Sequence, residues 1–297
     1  MSLEAARTFL GMLEADDHAR RLKSREVDAA TVEAQARARA FEEDGGLIAY
    51  AQRIARRRDP AKAAPMHHLA PIAERCEQAE RAMRGEVPPV FAVMHAAVQH
   101  GKTSLLQAFV LRTMRRNPRA KIGYVSFNAA RAEGKMWTVR QLAHGEGIHV
   151  HPDFNTKKEW RTVEGGLVVA GGIGDGSWTG EGFDILILDD LYAGPDEAES
   201  AAHRAKVERA FFDVIWTRRA KHASILVNMA RWNPNDLSGV LIRQGWRYVC
   251  LPAINDRGEA LWPEVMPLEE LLATRDGRPA RGDARSWFGT QALQPRA

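Results

Sequence analysis

Apolar and polar positions along the chain change rhythm near residue 87. From there on, short apolar runs alternate with amphipathic stretches. The runs fall at 90–94, 121–127, 184–188, 224–229 and 246–251. The segment Ile185-Leu186-Ile187-Leu188 is unbroken, as expected for a strand covered on both faces. Between the runs, 103–114 and 197–220 are predicted as helices. Strands alternating with helices imply right-handed crossovers and a mainly parallel sheet with helices on both sides. The stretch 160–182 alternates and is rich in glycine, which predicts a β-hairpin followed by a loop.

Residues 1–60 read differently. They are rich in Ala, Glu and Arg, nearly free of β-branched clusters, and Gly45-Gly46 is their one strong break. This predicts a helical N-terminal region that ends in the basic stretch Arg53, Arg56, Arg57 and Arg58. A linker over 60–71 and a helix over 72–84 follow. The expected division is a helical region over 1–60 and an α/β domain over 61–297, with no internal repeat.

Composition narrows the class without naming a function. A chain of 297 residues, 45% hydrophobic and 27% charged, can bury a substantial core. Disordered, collagen-like and disulfide-scaffold proteins are excluded. Cys76 and Cys250 are its only cysteines, so a Cys₄ zinc site is impossible and a reducing cytosolic compartment is the simpler expectation. No apolar run approaches the ~20 residues of a membrane span, and no apolar signal segment precedes Glu14, Asp16 and Asp17. A net charge of +4 permits a polyanionic partner without requiring one. His144, His149 and His151 lack metal-binding spacing. Trp232, Trp246 and Trp262 read as packing residues. The basic clusters Arg112, Arg115, Arg116, Arg119 and Arg218, Arg219, Lys221 suit either DNA phosphates or solvated helix ends.

The chemistry concentrates between the first strand and the helix after it. Ala96 to Thr103 match the phosphate-loop pattern G-x-x-x-x-G-K-S/T at its last three positions, with Ala96 in place of the first glycine. Gly101 lets the backbone approach phosphates, and the N–H groups of residues 100–104, His100 and Ser104 among them, converge at a helix N-terminus. Lys102 supplies a point charge to the β- and γ-phosphates, and the Thr103 hydroxyl suits Mg²⁺. A buried strand then ends in Asp189-Asp190. Asp189 is the expected Mg²⁺-side carboxylate and Asp190 the expected general base. A polar turn at the strand end explains the pair equally well in isolation. Their order after Gly101-Lys102-Thr103 favours the chemical reading. A further strand, 224–229, runs into the polar segment Ala230 to Gly239, where ATPases of the additional-strand class sense the γ-phosphate.

At this point the chain resembles the large terminase subunit of tailed bacteriophages, the ATPase of a DNA-packaging motor. The family's "P-P-R-H-G-K-S/T", "I-I-D-D" and "T-R-W-x-x-x-D-L-x-G" elements read here as Ala97 to Thr103, Ile187 to Asp190, and Ala230 to Gly239. Its later "L-P-A-I", "A-L-W-P-E" and "P-L-E-x-L" run is similar to Leu251 to Ile254, Ala260 to Glu264 and Pro267 to Leu271. The closing "F-x-x-Q-Y-Q-Q-x-P" is similar to 288–295. The resemblance covers roughly residues 65–297, and the ordered combination is its specific part.

The resemblance implies a P-loop ATPase domain of the additional-strand type, with ATP and Mg²⁺ as ligands. It implies double-stranded DNA, a portal protein and a small terminase subunit as partners. The chain would act in a homo-oligomeric ring at the procapsid portal in the host cytoplasm. Gln99 replaces an arginine that family members place near the phosphates, and Glu181 stands where they carry the arginine of "T-G-R-G". Arg131, Arg140, Arg161 and Arg231 are the candidates to compensate, and Arg231 is taken as the catalytic one. Ala230 replaces the threonine of "T-R-W". His68, in a segment similar to the one that contacts adenine, is expected to bind the base. Family members continue into a nuclease domain, so a chain ending at Ala297 is expected to be part of a longer protein. A helicase-like ATPase and a nucleotide-binding scaffold with little turnover remain as alternatives.

Overall fold

The computed structural model describes residues 45–60, 64–175, 178 and 180–275. Residues 1–44 of the helical region expected over 1–60, and the closing run at 288–295, lie outside the described residues.

Eight strands form one sheet: β1 (Phe91–Ala96), β2 (Lys121–Ser126), β3 (Val150–Asn155), β4 (Glu159–Thr162), β5 (Leu167–Gly172), β6 (Phe183–Asp189), β7 (Arg219–Asn228) and β8 (Arg247–Leu251). Their spatial order is β3-β4-β5-β2-β6-β7-β1-β8. From β5 to β8 every pairing is parallel, whereas β4 runs antiparallel to both β3 and β5. Strand β7 lies between β1 and β6, with Leu226 opposite both Ala92 and Ile187. This is the additional-strand arrangement expected of the α/β P-loop fold.

Alternation along each strand splits the core in two. Ile185, Ile187, Ala92, Met94 and Leu226 face one layer, while Leu186, Leu188, Val93, Ile225 and Val227 face the other. The described helices are α1 (Gly46–Arg58), α2 (Ala70–Met83), α3 (Lys102–Arg116), α4 (Ala129–Ala143), α5 (Pro195–Glu199), α6 (Ala201–Ala210), α7 (Leu237–Arg243) and α8 (Leu268–Arg275). Buried residues of α1 to α4 make up the first layer, and those of α5 to α7 belong to the second.

The division expected near residue 60 falls inside one compact unit that begins at Gly46. Helix α1 buries Leu47, Tyr50, Ala51 and Ile54 in the same core as α3. Its polar side is held by Glu146, which accepts from Tyr50 Oη at 2.9 Å and Arg53 Nη2 at 3.0 Å, and also from Arg57. Arg112 and Arg116, weighed as DNA contacts, instead turn inward onto the buried Glu80 at 3.1 and 3.2 Å and tie α3 to α2.

The helix expected over 197–220 is interrupted. Ser200 takes an extended backbone and caps α6, its hydroxyl accepting from His203 N. The chain then tightens through a π turn at Phe211–Ile215, and β7 begins already at Arg219. The hairpin forms between β4 and β5, and β5 joins the main sheet beside β2. Gly166 in its turn is required, because a Cβ there would lie 2.2 Å from the Pro118 carbonyl oxygen. Among the described residues, no helix is long and apolar enough to cross a membrane.

Candidate functional site

The loop from β1 to α3 turns through two left-handed residues, Gln99 (φ 61°) and Gly101 (φ 80°). Gly101 adopts this geometry freely, whereas Gln99 carries the strain of a side chain in that region. The loop is braced from behind. His100 is fully buried and donates from Nδ1 to the Val98 carbonyl at 2.8 Å. His68 donates from Nε2 to the His100 carbonyl at 3.0 Å and stacks on Trp262, with ring centroids 4.6 Å apart. Burial holds both imidazoles below their ordinary pKa, so they act as neutral donors.

Lys102 opens α3 and is nearly buried. Its ammonium donates to the carbonyls of Ala96 and Ala97, the latter at 3.0 Å. Burial lowers its pKa, and the nearby carboxylates of Asp190 and Asp189 oppose that shift. Thr103, one residue on, donates from Oγ1 to Asp189 Oδ2 at 3.3 Å. The loop that follows β1 and the acid on β6 therefore meet across the end of β7.

Asp189 is fully buried and saturated with donors. Oδ2 also accepts from the Tyr124 hydroxyl and from Lys135 Nζ at 2.6 Å, while Oδ1 accepts from Asn228 Nδ2 at 2.6 Å. Asp190 follows with φ 55°, a left-handed conformation that costs a side-chain-bearing residue about 1 kcal/mol or more. Its backbone is pinned on both sides: N donates to Asn228 O at 3.0 Å, and O accepts from Phe127 N at 3.0 Å. The strained turn aims the Asp190 carboxylate into the cleft. Surrounding protein and the adjacent Asp189 charge hold that carboxyl above the usual aspartate range, against the pull of Lys135 and Lys102. A carboxylate whose pKa is raised in this way is a stronger proton acceptor than an ordinary aspartate.

A cleft of about 770 Å³ lies beside these groups, lined by Asp190 but not by the fully buried Asp189. Its lining combines the polar Gln99, Lys102, Thr103, Ser104, Asp190 and Arg58 with the apolar Ala51, Ile54, Met66, Leu142, Trp262 and Val265. A lining of both kinds suits a polyanionic group that carries an apolar, ring-sized body.

Not every expected residue reaches the cleft. His68 and His100 buttress the loop rather than line it. Arg231 faces Tyr248 on β8 and does not line the cleft either. Glu181 sits at the far end of β6 from Asp189 and pairs with Lys121 at 2.8 Å and Arg161 at 3.3 Å, while Arg140 donates to Asn155. The 230–239 segment has a structural duty. Asp236 caps α7, its Oδ1 accepting from Gly239 N and Ser238 Oγ and its Oδ2 from Trp232 N. Gly239 is obligatory there, since a Cβ would meet the Pro234 carbonyl at 2.0 Å.

Asn228, Tyr124, Lys135 and Trp262 belong to the site although the sequence pattern did not single them out for it. Asn228 had a visible signal, as the one amide in an apolar strand. Lys135 had none, because nothing local distinguishes it from a solvated helix lysine.

The oxygens of Thr103 and Asp189 suit a hard divalent cation. Among the described residues no group of three or more His, Cys, Asp or Glu gathers to enclose one. Mg²⁺ takes few protein ligands and fills its shell with water and phosphate oxygens. Asn228 Oδ1 is buried without a hydrogen-bond partner. A water of the ion's shell is the kind of donor it lacks.

No protein-family model and no curated protein matches the chain. Among the solved structures similar to it are two phage large terminases. One is the large terminase of bacteriophage HK97, with TM-score 0.43 and 16% identity over 61% of this chain and 39% of that one. The other is the large terminase of a thermophilic bacteriophage in complex with ADP, with TM-score 0.42 and 8% identity over 74% of this chain and 53% of that one. The chain thus matches about half or less of either protein's length.

Proposed function

We propose that this chain binds Mg-ATP in the cleft and hydrolyses it as the ATPase of a terminase large subunit, driving double-stranded DNA into a viral procapsid. The observation that carries the nucleotide reading is the 3.3 Å approach of Thr103 Oγ1 to Asp189 Oδ2 at the mouth of a left-handed Gly101 loop. The packaging reading rests on the ordered motifs from Gly101 to Leu271.

In this reading the N–H groups at the start of α3 receive the phosphates, and Trp262 with Met66 and Ile54 encloses the base. Lys102 leaves the carbonyls of Ala96 and Ala97 for the β- and γ-phosphates. That exchange replaces neutral acceptors with charged ones and strengthens its hydrogen bonds. Thr103 and Asp189 hold Mg²⁺, which when bound neutralises charge on the phosphate oxygens. Asp190 orients a water and accepts its proton. Asn228 and Tyr124 fix the Asp189 carboxylate so that it cannot rotate. Double-stranded DNA, a portal protein, a small terminase subunit and a ring of like chains at the procapsid in the host cytoplasm complete the proposal.

A scaffold that binds nucleotide with little turnover is the second reading. Among the described residues, Arg58 of α1 is the one arginine that lines the cleft, and Glu181 pairs away from it, which favours that reading. Turnover measured on the purified chain alone, with DNA, and at rising protein concentration separates the two. Hydrolysis that disappears in Lys102→Ala and Asp189→Ala supports the ATPase. Nucleotide binding with no hydrolysis under any condition supports the scaffold.

A further inference from the structure

We infer that Lys135 is a built-in cation, seated beside Asp189 where a divalent ion would bind and displaced when the metal arrives with nucleotide. The inference rests on the reading of Thr103 and Asp189 as the metal-holding pair.

Lys135 projects from α4, and its Nζ lies 2.6 Å from Asp189 Oδ2 and 3.6 Å from Asp190 Oδ2. It is the one ammonium seated against both carboxylates of the pair among the described residues. Oδ2 is also the oxygen that Thr103 approaches. A cation entering between Thr103 and Asp189 would therefore meet the charge of Lys135 on the same atom. Two like charges so close repel strongly at a partly buried site, so both cannot stay.

The four donors on Asp189 are not equally free to leave. Asn228 and Tyr124 are fully buried on strands, and Thr103 is fixed on the first turn of α3. Lys135 has a long flexible stem and a partly exposed side chain. Its backbone is anchored, since its carbonyl accepts from Gln107 Nε2 of α3 at 2.9 Å, so the head moves while the helix stays. Asp190, already 3.6 Å away, receives it after a short swing. Without Lys135, two adjacent carboxylates would face each other with only the retracted Lys102 nearby, and the empty site would attract free metal. With it, the site is neutral enough to wait for the metal–nucleotide complex.

The test is Mn²⁺ binding to the nucleotide-free full chain, followed by electron paramagnetic resonance. Lys135→Gln and Lys135→Met should bind Mn²⁺ roughly tenfold tighter than the wild type or more, while Lys135→Arg, which keeps the charge, should stay near it. Circular dichroism selects the folded variants, and unchanged Mn²⁺ affinity in them overturns the inference. Independently of any substitution, reductively ¹³C-methylated lysines retain their charge. The Lys135 resonance of the wild type should move at saturating Mg²⁺, with nucleotide or without it; a resonance indifferent to Mg²⁺ in both cases overturns the inference. If Lys135→Gln tightens Mn²⁺ but a fluorescent ATP analogue does not bind, the ATPase reading fails and the role of Lys135 stands. If the analogue binds and Mn²⁺ affinity is unchanged, the role of Lys135 fails and the ATPase reading stands.

Discussion

Asn228 donates from Nδ2 to Asp189 Oδ1 at 2.6 Å across β6 and β7, with both side chains fully buried. The strand between loop and acid thus holds the acid in place. Asn228→Ala removes the donor and leaves a charged oxygen unpaired in the core, a loss of about 1–3 kcal/mol. A lowered melting temperature, with ATP turnover reduced more than nucleotide affinity, is the expected result. Turnover at the wild-type level would show that Asp189 needs no such restraint.

Asp190 sets a pH limit. Its carboxyl is held above the aspartate range by burial and by Asp189. Because only the ionised form accepts a proton, hydrolysis should fall as pH drops through this raised value, at higher pH than an ordinary aspartate would impose. The stability effect has the opposite sign. The folded state keeps the proton that the unfolded chain has already lost, so stability declines as pH rises between the two pKa values. Asp190→Asn should abolish turnover and flatten that decline, as read from denaturant midpoints across pH.

Asp236 offers a control at the other end of the third motif. Asp236→Ala removes the cap of α7, at a cost of about 1–2 kcal/mol, and should leave nucleotide affinity unchanged once the protein is folded. An affinity loss much larger than the stability loss would mean that the segment touches nucleotide after all.

Trp262 joins the two halves of the loop's support, stacking on His68 and lining the cleft. Trp262→Ala should weaken binding of a fluorescent ATP analogue about tenfold or more, the scale of a lost aromatic contact. Trp262→Phe should recover most of it.

The parts of this architecture that repeat a short rule were readable in advance. Ile185 to Leu188 announce a strand covered on both faces, and Gly101-Lys102-Thr103 followed by Asp189-Asp190 announce a loop and its acid. What stayed hidden depends on contacts distant in sequence. Lys135 reaches Asp189 across 54 positions, and Tyr50 reaches Glu146 across 96. Helix α4 was missed because its buried stripe is only Ala132, Met136, Val139 and Ala143, too thin to stand out. Trp262 read as packing, and it does pack, but on the wall of the cleft. The D-L-x-G signature was legible as a pattern while its reason was not. Only the fold shows that Asp236 caps a helix and that Gly239 lets a carbonyl pass.

Helix α1 supplies Ala51, Ile54, Ala55 and Arg58 to one side of the cleft, yet no signature residue lies within it. A fragment starting at residue 61 would keep the loop, the acid pair and the capped turn, and would still lack a wall. Completeness by motif and completeness by cavity are different measures of this protein. The shorter fragment would satisfy the first and leave one side of the cleft open to solvent.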